Sequence, residues 1–170
     1  MGNRLLQISC EIFKLCWRLD VPFVWENPLC SFQWWHPLAK EIASLEGVSD
    51  LCLHQCAYGA RWYKPTRLRV FGLRDTRDLE RKCKRRVVEG KWLCQHSGLP
   101  HIVLQGRDSQ GVCWTARAAA YPCELCERLA SCFCDTAFAN EFAKALAGVA
   151  SLGARRNRSQ CLRTAAKGGG

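Results

Sequence analysis

The sequence predicts an α/β fold, a small mixed sheet with an antiparallel hairpin at its edge and helices packed against it. Three observations predict it. Apolar residues near the N-terminus recur at helical spacing, an uninterrupted apolar run follows, and two later apolar runs flank a basic loop that contains glycine. The chain has 170 residues, 48% hydrophobic and 24% charged, enough for one ordinary core.

Leu5, Leu6, Ile8, Ile12, Phe13, Leu15, Cys16 and Leu19 predict a helix over residues 3–19. Asn3 can cap its start, and Asp20 and Pro22 end it. Residues 21–25 are apolar between turn residues, as in a strand buried on both faces, and Pro28 stops it. Pro37 suits the first turn of a helix running through Leu45, with Gly47 just past its end. Residues 48–56 and 68–73 predict the second and third strands, separated by the basic loop. Residues 74–88 are charged and helical or irregular, and residues 93–111 are loop and short strand. Pro122 opens a helix to about residue 146, with Leu125, Leu129, Phe133, Phe138, Phe142 and Leu146 along one side. Residues 153–170 lack periodicity and end in three glycines. The predicted organisation is therefore a domain over residues 1–150 and a disordered basic tail over residues 151–170.

Net charge is +10 at neutral pH, which favours a polyanionic partner. The charge is concentrated: residues 61–91 hold 12 basic and 4 acidic side chains. Such a run is either a solvated face or a phosphate-contacting one. Thirteen cysteines can signal a secreted disulfide framework. Their odd number, the seven tryptophans and the amphipathic rather than uniformly apolar start argue instead for reduced thiols in an intracellular protein, nuclear or cytoplasmic. No apolar run approaches the roughly 20 residues that span a bilayer, so no membrane partner is expected.

Several short motifs follow one another in order: Glu26-Asn27-Pro28 after the first strand; Tyr58-Gly59; Lys64-Pro65-Thr66-Arg67-Leu68-Arg69-Val70-Phe71; a Cys/His region from Cys94 to His101 with Gly106; and Tyr121-Pro122-Cys123-Glu124-Leu125-Cys126 at the last helix. In this order they resemble the C-terminal half of the DNA (cytosine-5) methyltransferase family, in its divergent phage and mobile-element branch. The resemblance covers about residues 2–133. It implies a partial Rossmann-like methyltransferase sheet, and a family chemistry in which a flipped cytosine is attacked by a cysteine thiolate and methylated from S-adenosylmethionine. It implies that Glu26 holds the ring nitrogen of the base at the mouth of a nucleobase pocket, facing Arg67 and Arg69. Asn27, Tyr58, Gly59, Lys64 and Thr66 then match substrate-facing positions. Trp62 and Tyr63 can stack on an exposed base.

Two family parts do not fit upstream of Glu26: the Gly-rich cofactor turn and the Pro-Cys nucleophile. Pro122-Cys123 comes after the arginine strand. The resemblance thus implies a sheet without its N-terminal cofactor-binding strands and a fragment that is inactive alone. S-adenosylmethionine would not be bound by this chain alone, and a partner chain could supply the missing half. DNA is the expected ligand ahead of RNA. The same residues also have plainer roles. Glu26 can cap the following helix, Asn27-Pro28 can be a simple turn, Trp34 and Trp35 can be core, and Arg67 and Arg69 can alternate on a half-solvated strand.

A second function class stays open: a small zinc-stabilised nucleic-acid-binding module without catalysis. Zinc takes four sulfur or nitrogen ligands, commonly from closely spaced pairs. Cys83, Cys94 and His101 lie in a loop-rich stretch that needs a staple, with His96 and Cys113 nearby; Cys123-x-x-Cys126 with Cys132-x-Cys134 is the other candidate. The alternative is that these cysteines are small buried apolar residues.

Overall fold

The computed structural model describes residues 2–141, so the expected basic tail and the end of the last helix lie outside the described residues. The chain divides into two compact units, Met1–Phe133 and Cys134–Gly170. In the second, residues 134–141 are helical.

Helix α1 spans Gly2–Arg18. Its inner face sets Leu6, Cys10, Phe13 and Trp17 against the core, while Leu5, Ile8, Ile12 and Leu15 face outward. The expected stop at Asp20 is a Schellman closure. Val21 N–H donates to Cys16 C=O at 2.8 Å and Asp20 N–H to Trp17 C=O at 3.2 Å, with Asp20 left-handed at φ +53°.

Strand β1 is Phe23–Pro28, helix α2 is Pro37–Ala43, β2 is Val48–His54 and β3 is Pro65–Phe71. His36 caps α2, its Nδ1 accepting from Leu38 N–H at 3.3 Å, and Pro37 takes the first helical position as expected. The sheet order is β1-β3-β2, and β3 is antiparallel to both neighbours. β1 and β2 therefore run the same way, joined through α2. The fold is mixed, with helices and antiparallel sheets. One expectation changes: the antiparallel strand is central, not at the edge. β1 also continues through Glu26, Asn27 and Pro28, because Leu68, Arg67 and Thr66 pair with them. Pro28 is tolerated because it closes the strand.

Register sorts the side chains by face, since residues paired across strands share one. Phe23, Trp25 and Asn27 lie beside Phe71, Arg69 and Arg67, and these beside Val48, Asp50 and Cys52. This face packs on α1 through Leu6 and Cys10, on α2 through Ala39 and Ile42, and on Trp34 between β1 and α2. Val24, Glu26 and Pro28 lie on the other face with Val70, Leu68 and Thr66. That face builds a second core with Leu51, Leu53, Tyr58, Leu79 and Leu125.

The stretch expected to be helical or irregular holds a 3-10 turn, Thr76–Leu79, and then strand β4, Arg86–Val88. β4 pairs antiparallel with β5, Lys91–Leu93. A short helix α3 follows at Trp114–Arg117, and residues 123–133 are helical. No helix among the described residues is long and apolar enough to cross a membrane.

Candidate metal centre

Four side chains converge where β2 ends and the β4–β5 hairpin begins. Cys56 lies in the 3-10 turn Gln55–Tyr58 that follows β2. That turn closes on Gly59 at φ +89°, whose N–H donates to Cys56 C=O at 3.3 Å. A Cβ at Gly59 would meet nothing within 4 Å, so alanine there should lose only the left-handed backbone preference. Gly59→Ala is expected to cost about 1–2 kcal/mol in chemical denaturation, and Gly59→Asn less.

Gln55 is wholly buried. Its Oε1 accepts from Trp62 Nε1 at 3.1 Å and its Nε2 donates to Thr66 Oγ1 at 3.4 Å, which pins the turn to β3. Cys83 sits just before β4, its N–H donating to His54 Nδ1 at 2.8 Å. Cys94 follows β5 and is held by a tight turn: its N–H donates to Leu99 C=O at 2.8 Å and its C=O accepts from Gly98 N–H at 2.9 Å. His101 is placed by the next residue, Ile102, whose N–H donates to Arg61 C=O at 2.9 Å.

The ligand atoms of Cys56, Cys83, Cys94 and His101 all lie within 4.8 Å of one another. Cys83 Sγ is 3.8 Å from Cys94 Sγ and 3.9 Å from His101 Nε2. A disulfide needs about 2.05 Å, and these cysteines are free. A tetrahedral ion with zinc–sulfur bonds of about 2.3 Å sets its sulfurs about 3.8 Å apart, and a sulfur–nitrogen pair about 3.6 Å apart. The donor set and spacing are therefore those of a metal centre, and the residues present fit a divalent ion such as zinc. All three thiols are buried.

Protonation fits the same chemistry. Burial pushes the Cys56 thiol up, and the thiols of Cys83 and Cys94 push it further. At Cys94 burial also acts upward, but the N–H groups of Ser97 and His96 outweigh it and bring the thiol down. Burial, then Arg85 and His96, lowers His101, which favours the neutral ligating imidazole. A divalent cation is the partner that would let buried thiols ionise together.

A second layer orients this set. His54 accepts the Cys83 N–H on Nδ1, so in the neutral ring Nε2 carries the proton and donates to Tyr63 Oη at 3.3 Å. Burial lowers the His54 pKa and favours that neutral ring. Tyr63 also packs 5.3 Å from the His101 ring, centroid to centroid.

Three of the expected ligands, Cys83, Cys94 and His101, are thus brought together. The fourth, Cys56, was not singled out from sequence; its one signal is a cysteine in a strand-to-turn junction beside a glycine. Among the described residues no other such cluster forms. Cys123 and Cys126 are exposed, with Cys123 Sγ donating to Glu127 Oε1 at 3.4 Å. Cys132 is buried in the core.

The expected base pocket is arranged differently. Glu26 lies on the opposite sheet face from Arg67 and Arg69, so it does not face their guanidinium groups. Its Oε2 accepts from Tyr121 Oη at 2.7 Å, and its Oε1 is buried without a hydrogen-bond partner among the described residues. Arg69, 2% exposed, donates from Nε and Nη2 to Asp50 at 2.7 and 2.9 Å and from Nη1 to Ala39 C=O. Its guanidinium also lies over the Trp25 and Trp34 rings. Arg67 makes a longer contact with Asp50, 3.4 Å, and lies over Trp34. Asn27 is Arg67's cross-strand partner.

Tyr58 is buried and donates to Leu79 C=O at 2.8 Å, a core role. Buried Thr66 donates to Lys64 C=O at 3.3 Å. Lys64 Nζ donates to Ala118 C=O at 3.2 Å and lies over the Tyr121 ring. Trp62 and Tyr63 serve the metal centre's surroundings, Trp34 is core and Trp35 is exposed. Compared with protein-family models, curated proteins and solved structures, the chain matches none of them.

Proposed function

We propose that this chain is a small zinc-stabilised module that binds nucleic acid and performs no catalysis of its own. The observation that carries it is the convergence of three buried thiols and one imidazole within 4.8 Å. The ligand charge comes from the surface around that centre. Lys84, Arg85, Arg86 and Lys91 are exposed and have no acidic partner among the described residues, whereas Arg81 and Lys82 are paired with Glu124 and Glu80. DNA is the expected polyanion ahead of RNA.

The test is binding of labelled DNA and RNA to the zinc-loaded chain across a salt series. Four phosphate contacts correspond to a log–log slope of about −3 to −4. Affinity should fall along that slope and drop further on chelation. Absent or salt-insensitive binding contradicts the module.

One observation favours the methyltransferase-like alternative. The Glu26-Asn27 strand lies directly beside the arginine strand, and among the described residues β1 pairs only with β3. Further strands of a Rossmann-like sheet, from a partner chain, could add at that edge. Turnover of labelled S-adenosylmethionine on DNA by this chain, lost in Glu26→Gln, would support this alternative and contradict the non-catalytic module.

A further inference from the structure

The β4–β5 hairpin is rooted at both ends in the metal centre, with Cys83 ahead of β4 and Cys94 directly after β5. Its two-residue turn, Glu89-Gly90, has positive φ at both positions, 50° and 76°, the geometry that matches strand twist in a tight hairpin. Nearly everything on it is exposed, including Val87, Val88 and Trp92. Val87 and Trp92 are cross-strand partners, so they form an exposed apolar pair on one face.

Register divides the ribbon. Val87 pairs with Trp92 on one face, while Arg86 pairs with Leu93 and Val88 with Lys91 on the other. The Trp92 face continues a stacked series. The Arg85 guanidinium lies 4.7 Å from the Tyr63 ring centroid and 5.3 Å from that of Trp92. Tyr63 in turn packs on the ligand His101 and hydrogen-bonds His54. Trp92 is the outermost member of this series and is 58% exposed. Arg85 is the cation beside it on this face, while Arg86 and Lys91 project from the opposite face of the two-stranded ribbon.

We propose that this ribbon holds single-stranded nucleic acid, with an unpaired base stacked on Trp92 beside Arg85 and the strand's phosphates drawn to the ribbon's exposed cations, Arg85, Arg86 and Lys91. This rests on the nucleic-acid reading above and names the element and the form of ligand. Charge complementarity selects a polyanion, and the open indole selects its conformation. A duplex hides its base faces, so only an unpaired base can lie flat on the exposed indole. An aromatic ring beside cations is the arrangement that takes unpaired bases without sequence preference. A zinc ion bound by Cys56, Cys83, Cys94 and His101 would hold His101 in place, and through Tyr63 and Arg85 the angle at which Trp92 is presented.

The experiment compares the zinc-loaded full chain with Trp92→Ala and Trp92→Phe. The probes are a labelled short oligothymidylate and a labelled duplex of mixed sequence, read by anisotropy at one salt concentration. Trp92→Ala should weaken single-strand binding by about tenfold and duplex binding by less than about twofold, with zinc content unchanged. Trp92→Phe should recover most of the loss. Equal single-strand affinity in Trp92→Ala, or a native preference for the duplex, overturns the ribbon assignment and leaves the module standing. Binding to neither probe overturns the module as well.

Discussion

Serine in place of Cys94 should release the metal and unfold the segment from Cys83 to His101. The segment has little else to hold it. β4 and β5 have three residues each, and an isolated two-stranded hairpin is marginal in water. Among the described residues, the core beneath it is Cys56, Cys83 and Cys94 with Tyr63 packed against them. Structural zinc binding is worth about 10–16 kcal/mol in small zinc-dependent peptides, on the scale of a whole domain's stability. Losing one thiolate of the set should therefore remove most of the segment's protection against hydrogen exchange. The amides to follow are Cys94 N–H, bonded to Leu99, and Ile102 N–H, bonded to Arg61. The β1-β3-β2 sheet should persist, because its two cores contain none of Cys83, Cys94 or His101. Cys123→Ser, at an exposed thiol away from the cluster, should change stability by no more than about 0.5 kcal/mol and leave the metal bound. Full metal retention and native exchange in Cys94→Ser would contradict the assignment.

The second large effect concerns Asp50 and Arg69. Asp50→Ala should cost about 3–5 kcal/mol in chemical denaturation, because it strands a guanidinium that is almost fully enclosed between Trp25, Trp34 and Ala39. Removing both charges, as Asp50→Leu with Arg69→Met, should cost less than Asp50→Ala alone. Arg67→Ala should cost only about 1 kcal/mol, since its pair with Asp50 is longer and partly exposed. Similar costs for Asp50→Ala and Arg67→Ala would mean that the Arg69 pair is not a structural anchor. This series separates the roles of the two arginines. Arg69 joins β3 to β2 and α2, whereas Arg67 makes only a longer, partly exposed pair with Asp50.

The sequence made some of this plain. The α1 periodicity and its stop at Asp20 are local features, encoded within one turn of chain, and both were legible. So were Pro37 at the head of α2 and three of the four side chains of the Cys/His cluster, which lie within one loop-rich stretch. What was not legible depends on register and distance. Arg67 and Arg69 alternate as on any half-solvated strand. Only the pairing of β2 with β3 puts Asp50 opposite Arg69 and makes that position a buried ion pair. The pairing of β1 with β3 likewise decides that Glu26 and the arginines occupy opposite faces. Cys56 joins the metal set across a long separation in sequence, so no spacing rule reaches it. Cys123-x-x-Cys126 matches a ligand spacing, but its helix leaves both thiols at the surface.

The central claim is that Cys56, Cys83, Cys94 and His101 bind one zinc ion. X-ray absorption at the zinc edge, on protein purified without added chelator, tests it most directly. One zinc per chain is expected, with three sulfurs at about 2.3 Å and one nitrogen at about 2.0–2.1 Å. Metal-free protein, or a zinc shell containing only oxygen and nitrogen, would contradict it.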